Sequence, residues 1–198
     1  MNLPNCITLF RILLVVVFAT AASLADVFDI GLYMVALIAF LIATASDWLD
    51  GYLARKLNLV TEFGKLIDPL ADKILVSTAF VYLAVAGMVP VWVTALIIGR
   101  EFLVTGVRQI SVDHGHIIPA DNWGKFKTGF QLAFCIDCLI VLMFRESPPT
   151  GAVGRFFEWF CATDGYIYHI ALWVSVLLTA WSGINYTWKA RHILFAQK

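Results

Sequence analysis

The chain has 198 residues, of which 61% are hydrophobic and only 14% charged. A soluble fold of this length cannot bury that much apolar surface, so the composition excludes a soluble globular protein and implies an integral membrane protein. Lys+Arg and Asp+Glu number 14 each, and the zero net charge argues against a broad basic surface for nucleic acid.

In chain order, Pro4 and Asn5 suit a turn or helix start. Ile12 to Ala25 is an uncharged apolar run. Arg11 is expected to snorkel to the interface and extend that helix to about 20 residues. A cleaved signal peptide competes, because Ala19-Thr20-Ala21 and Ser23-Leu24-Ala25 are small-residue sites. Asn5, Thr8 and Arg11 on one face favour a retained helix. Asp26 and Asp29 mark a short loop. The second apolar run, Ile30 to Ser46, ends in an acidic cluster at Asp47, and Asn58 to Thr61 reads as a hairpin turn. The third run, Ile74 to Val89, is entered from Asp72 and punctuated by Gly87 and Pro90. The fourth runs from Val91 to about Val112, interrupted by Arg100 and Glu101. The fifth is capped by Asp121 or Asn122 and runs to Phe144, with Asp137 inside it. Ser147 to Asp164 is a Pro- and Gly-rich loop whose Phe156, Phe157, Trp159 and Phe160 are expected to rest on the bilayer. Tyr166 to Trp188 is the sixth. The reading is an all-α membrane protein of six transmembrane helices, a single domain over 1–198 without internal repeat.

Basic residues orient it. The joins after helices two and four, with the C-terminal tail, carry Arg55, Lys56, Lys65, Arg108, Lys125, Lys127, Lys189, Arg191 and Lys198. The joins after helices one and three carry none. Arg145 and Arg155 in the join after helix five are offset by Glu146, Glu158 and Asp164. Both termini and the Asp47–Asp72 hairpin are therefore expected on the cytoplasmic side. Cys135 and Cys138 form a CxxC inside an apolar helix, where small packing residues are a better reading than a redox or zinc site. His114 and His116 read as loop residues. Asp137 is open to three readings: a buried network, a contact across a dimer, or a cavity.

Asp47 to Asp72 holds the chemistry. Asp47 and Asp50 are spaced i, i+3, and Asp68 and Asp72 i, i+4, so each pair shares a helix face. Carboxylates at a membrane boundary are costly and point to function. Four of them cannot all ionise without a counter-charge, and oxygen-only ligands favour Mg²⁺ or Mn²⁺ over zinc. Four acids suit two such ions about 3.5–4 Å apart, an arrangement used for displacement at phosphorus. Gly51 and Gly64 leave space for a ligand, and Arg55 offers a planar fork for phosphate oxygens.

These residues fill the CDP-alcohol phosphotransferase signature: Asp47, Asp50, Gly51, Ala54, Arg55, Gly64, Asp68 and Asp72 occupy all eight of its fixed positions. The chain resembles that family over this stretch. The resemblance implies a CDP-linked alcohol as donor, CMP as leaving group and a homodimer. It assigns the base to Asp72 and makes Asp47, Asp50 and Asp68 mainly metal ligands, with Asp47 and Asp68 bridging. Thr61, Thr8 and Arg11 are further candidates for donor contacts.

The acceptor is read from the remaining cations. Arg100, Glu101 and Arg108 share a face, and Lys125 and Lys127 open the fifth helix in GKFKT. Basic side chains and helix starts attract phosphate. Positive-inside charge plus one buried Arg–Glu pair is the plainer reading, but Arg100 lies deep in an apolar run and favours an anionic acceptor. NLPNCITLFRI, REFLVTGVR and GKFKT resemble the bacterial phosphatidylglycerophosphate synthase branch of the family. That resemblance implies CDP-diacylglycerol and glycerol 3-phosphate as substrates, a bacterial inner-membrane location, and an acceptor phosphate on Arg100, Arg108, Lys125 and Lys127. Phosphatidylinositol-phosphate or cardiolipin synthesis, and divalent-cation transport, are the alternatives.

Overall fold

The computed structural model describes residues 3–25, 27–29, 31–57, 62–113, 122–145, 150–151, 154–155 and 166–194. Among them are six long helices: α1 (Leu3–Ala25), α2 (Leu32–Leu57), α3 (Glu62–Val85), α4 (Val91–Asp113), α5 (Asn122–Phe144) and α6 (Tyr166–Leu194). Each has 23 to 29 residues. At 1.5 Å per residue that is about 34 Å or more, enough for a hydrocarbon layer of ~30 Å. Cys6–Ala25, Phe126–Phe144 and Tyr168–Trp188 are apolar enough for a full crossing. In the sequence the uncharged apolar run of α2 ends at Ser46, and Asp47 follows it directly. The chain is an all-α membrane protein.

Small residues let the helices approach closely. Ala21, Ala22 and Ala25 of α1 and Ala36, Ala39 and Ala43 of α2 are all buried, and α1 packs most extensively on α2. Aromatic rings fill the wider gaps. Phe18 meets Phe40 and Tyr82 at 5.5 and 6.3 Å between centroids, and Phe134 meets Phe80 and Tyr168 at 6.1 and 5.5 Å. Cys135 and Cys138 are buried in this core as packing residues.

At one end of the bundle the Tyr82 hydroxyl donates to the Tyr33 hydroxyl at 3.1 Å, and the Tyr168 hydroxyl donates to the Met88 carbonyl. The polar residues of interest lie toward the opposite end, where α2 finishes and α3 and α5 begin. α6 shows why it stands where it does. Ile170, Trp173, Leu177, Trp181, Ile184 and Trp188 form an exposed stripe, while Ser175, Thr179, Ser182 and Tyr186 are buried. Both sets follow helical periodicity, so the helix turns its apolar side outward and its polar side inward, as a bilayer requires.

Several boundaries differ from the apolar runs. α3 ends at Val85 although apolar residues continue to Val89. Gly87 takes φ +73°, a left-handed conformation that costs glycine little. Met88 N–H then bonds Leu83 C=O at 2.9 Å and Gly87 N–H bonds Ala84 C=O at 3.2 Å, a Schellman stop. Pro90 opens the turn into α4. α1 begins at Leu3, and α6 runs six residues past Trp188, to Leu194. Arg11 does not snorkel to the interface: it is 0% exposed, because a carboxylate of α2 lies within its reach inside the bundle. The expected loop residues His114, His116, Phe156, Phe157, Trp159 and Phe160 lie outside the described residues.

Candidate active site

The Asp47 carboxylate sits where α2 leaves its apolar segment. Arg11 Nη1 lies 2.7 Å from Asp47 Oδ1. Thr8, one turn before Arg11 on α1, is also buried. The two sequence candidates on α1 thus lie inside the bundle, and Arg11 is directed at the first acidic residue of the signature. The burial is asymmetric: the Arg11 side chain is 0% exposed and that of Asp47 46%. An enclosed guanidinium therefore fixes a carboxylate that is still open on its other side. Such a group can take a hard cation while its orientation is held from behind.

Asp50, Gly51, Ala54 and Arg55 follow on α2, and Gly64, Asp68 and Asp72 lie on α3. Their backbone positions keep the i, i+3 and i, i+4 register on two neighbouring helices that pack on each other. The side chains of Asp50, Arg55, Asp68 and Asp72 fall outside the described ones, as do Thr61 and the side chain of Lys125. The donor set is all oxygen, and one member, Asp47, is open. That chemistry fits a hard divalent ion rather than zinc or a soft metal.

A second polar cluster is built between α4, α5 and α6. Glu101 Oε1 accepts from Arg100 Nη1 at 3.2 Å and also pairs with Lys127 Nζ from α5. Lys127 is 0% exposed. Arg100 Nη2 donates to the Ser182 hydroxyl of α6. Two turns further along α4, Arg108 Nη2 donates to the Tyr186 hydroxyl at 3.0 Å, and its guanidinium lies 5.8 Å from the centre of that ring. Gln131, one turn after Lys127, donates to Thr179 at 3.1 Å. Gly183 makes the close approach of α4 and α6 possible: a Cβ there would stand 3.2 Å from Arg100 Cγ. An apolar cavity of about 780 Å³ opens beside Arg100, with Gly99, Leu103 and Gly183 in its wall. The stem of Arg100 lines it, while the guanidinium is engaged by Ser182 and Glu101.

Three of the four expected acceptor cations, Arg100, Arg108 and Lys127, therefore fall in one interhelical cluster. Sequence reasoning missed Ser182, Tyr186, Gln131 and Thr179, and the bridging role of Glu101. A signal existed. Ser175, Thr179, Ser182 and Tyr186 recur at steps of four, three and four, the spacing of one buried helix face.

The arrangement can hold a metal-bound diphosphate at one cluster and an anion at the other. A family model described as CDP-alcohol phosphatidyltransferase matches residues 1–181. The chain is 39% identical to the CDP-diacylglycerol–glycerol-3-phosphate 3-phosphatidyltransferase of Bacillus subtilis (strain 168), over 96% of each chain. It is 36% identical to the protein of the same name from Pseudomonas fluorescens, over 94% of this chain and 88% of that one. It is 35% identical to a probable phosphatidylglycerophosphate synthase of Mycobacterium tuberculosis (strain ATCC 25618 / H37Rv), over 96% and 81%. The chain belongs to the CDP-alcohol phosphatidyltransferase family.

Proposed function

We propose that this chain transfers the phosphatidyl group of CDP-diacylglycerol to glycerol 3-phosphate, giving phosphatidylglycerophosphate and CMP. The observation that carries the reading is the gathering of Arg100, Arg108 and Lys127 from α4 and α5 into one cluster. Three cations against the single carboxylate of Glu101 suit an acceptor that itself bears a phosphate. An uncharged alcohol would not use this excess of positive charge. The names of the relatives from Bacillus subtilis and Pseudomonas fluorescens support the same pair of substrates.

Asp47, Asp50, Asp68 and Asp72 would hold two Mg²⁺ or Mn²⁺ ions, which when bound neutralise the diphosphate and the CMP leaving group. Arg11 orients Asp47 from within the bundle. Arg55 pairs with the donor diphosphate, and Gly51, Gly64 and Thr61 border the donor. Arg100, Arg108, Lys125 and Lys127 hold the acceptor phosphate, so its free hydroxyl faces Asp72. Asp72 takes the hydroxyl proton as that oxygen bonds to the phosphatidyl phosphorus. The bond from phosphorus to the CMP oxygen breaks, and CMP leaves with its electron pair. The acyl chains stay in the bilayer throughout. The protein forms one domain over 1–198 and works as a homodimer in the bacterial cytoplasmic membrane. The Lys and Arg residues expected on the joins lie instead in the helix ends beside them, Arg55, Lys56 and Lys65 in α2 and α3 and Arg108, Lys125 and Lys127 in α4 and α5, and their excess there supports a site on the cytoplasmic side.

An acceptor screen on purified protein tests this. CDP-diacylglycerol is supplied with glycerol 3-phosphate, glycerol, inositol, inositol phosphate or phosphatidylglycerol, and both CMP and lipid product are read. Release of CMP with glycerol 3-phosphate alone is the expected result. Use of plain glycerol or inositol at similar efficiency would remove the phosphate site. Metal flux without CMP release would make the protein a cation transporter instead.

A further inference from the structure

One carboxylate stands at the centre of the cationic cluster, and the acceptor reading does not by itself explain it. Glu101 follows Arg100 on α4, accepts from that neighbour, and pairs through the same oxygen with Lys127 on α5. Both partners come from the set proposed to meet the acceptor phosphate. We infer that Glu101 is a positioning residue of the acceptor site, holding Lys127 and Arg100 in place and setting the charge that the acceptor meets. The inference rests on the acceptor reading above.

Lys127 is fully enclosed, and an ammonium taken out of water needs a counter-charge within reach. A lysine on a flexible four-carbon stem has no preferred direction of its own. Glu101 supplies such a charge and a direction, and it does so from a different helix, so the pair links α4 to α5. Charge points the same way. Arg100, Arg108, Lys125 and Lys127 are the cations proposed to meet the acceptor, and Glu101 offsets one of them, which brings the net charge closer in size to the about −1.5 to −2 of a phosphate monoester near neutral pH. A carboxylate this close to a phosphate site is otherwise repulsive, so a role through its cationic partners is the one that chemistry favours.

The test is a double-mutant cycle on the full chain in detergent or nanodiscs, reading kcat, the KM for glycerol 3-phosphate and CDP-diacylglycerol binding. Glu101→Gln should raise the acceptor KM about ten- to hundredfold, with less change in kcat and donor affinity within about twofold. Glu101→Asp should recover much of the loss. Because Glu101 acts through Lys127 as well as Arg100, the loss in Glu101→Gln/Lys127→Met should be clearly smaller than the product of the two single losses. A wild-type acceptor KM in Glu101→Gln, a loss confined to kcat, or losses that multiply in the double variant would each overturn the inference. If Glu101→Gln does not fold, the double variant, which removes both charges together, still reads the coupling against Lys127→Met. The four cation variants Arg100→Ala, Arg108→Ala, Lys125→Ala and Lys127→Ala separate the two levels. If all four leave the acceptor KM unchanged, the acceptor reading falls and takes this inference with it. If any of them raises the KM while Glu101→Gln does not, only the inference falls.

Discussion

Two buried cations, Arg11 and Lys127, are each placed against a carboxylate from another helix, and the two pairs differ in the carboxylate. Asp47 is 46% exposed beside its fully enclosed arginine; Glu101 is 15% exposed and shared by two cations. In the first pair only the cation is enclosed, and the acid keeps access to solvent. In the second all three groups are enclosed, with side-chain exposures of 15% for Glu101, 10% for Arg100 and 1% for Lys127. The first pair leaves an anion accessible, as the proposed metal site needs; the second is a closed network that one acid holds together.

The largest loss is expected at the open acid. Asp47→Asn keeps size and shape but cannot neutralise a divalent ion, and Asp68→Asn should behave alike. CMP release in either should fall to background, beyond the ~10²–10³-fold typical of losing one transition-state donor. Normal turnover in either variant ends the two-metal reading.

Next in size is the proposed base, Asp72. Asp72→Asn should lower single-turnover rates by ~10²–10⁴ while retaining CDP-diacylglycerol binding. Arg55→Ala should do the reverse, weakening donor affinity more than the chemical step. If Asp72→Asn turns over nearly as fast as wild type, the proton goes elsewhere.

The supporting cation comes third. Arg11→Met leaves Asp47 in place but without its internal partner. Breaking a fully enclosed ion pair costs about 3–5 kcal/mol; Asp47 is nearly half hydrated, so the stability loss should be well below that. Activity should fall ~10–100-fold, as for other groups that orient metal ligands, with a raised Mg²⁺ requirement. Titrating Mg²⁺ in the variant checks this: an unchanged requirement would make Arg11 a packing residue only.

The two regions also differ in how far they can be read without a structure. The acids of α2 and α3 declare themselves by local spacing, since i, i+3 and i, i+4 positions meet on any helix. Arg100, Arg108 and Lys127 were visible as charges in apolar helices, and three helix starts, at Val91, Asn122 and Tyr166, fell where runs and caps predict. What spacing cannot supply is a partner from a distant helix. Arg11 reads as an interfacial snorkel until Asp47, 36 residues on, is brought beside it. Ser182 and Tyr186 look like ordinary residues of an apolar helix until α6 is turned against α4. The stop of α3 at Val85 was hidden for another reason: hydrophobicity continues past it, and a single left-handed glycine ends the helix.

Within the second cluster, removing one cation should have a moderate effect. A hydrogen bond to a charged group is worth about 1.5–3 kcal/mol, so Arg100→Ala, Arg108→Ala, Lys125→Ala or Lys127→Ala should raise the KM for glycerol 3-phosphate roughly ten- to hundredfold. Donor affinity should stay near wild type, because the diphosphate is proposed to rest on Arg55 and the acids. If all four keep a wild-type acceptor KM, the phosphate is bound elsewhere.

The smallest expected effect tests whether α6 belongs to the site or merely closes it. Tyr186 gives Arg108 two things: a hydroxyl that accepts at 3.0 Å, and a ring whose centre is 5.8 Å from the guanidinium. Tyr186→Phe removes the first and keeps the second. Arg108 is exposed, so water can replace the lost acceptor and no buried donor is left unsatisfied. The cost is then only that of a less firmly aimed guanidinium, the ~0.5–1.5 kcal/mol of an ordinary hydrogen bond at most, or roughly two- to tenfold in acceptor KM. Tyr186→Ala also removes the ring and should cost more, through lost packing of α6 on α4. A graded rise in KM from wild type through Phe to Ala, at constant donor affinity, makes α6 a wall of the acceptor pocket. If Tyr186→Phe matches wild type while Tyr186→Ala loses donor and acceptor use alike, the tyrosine holds the helices together and Arg108 is aimed by α4 alone.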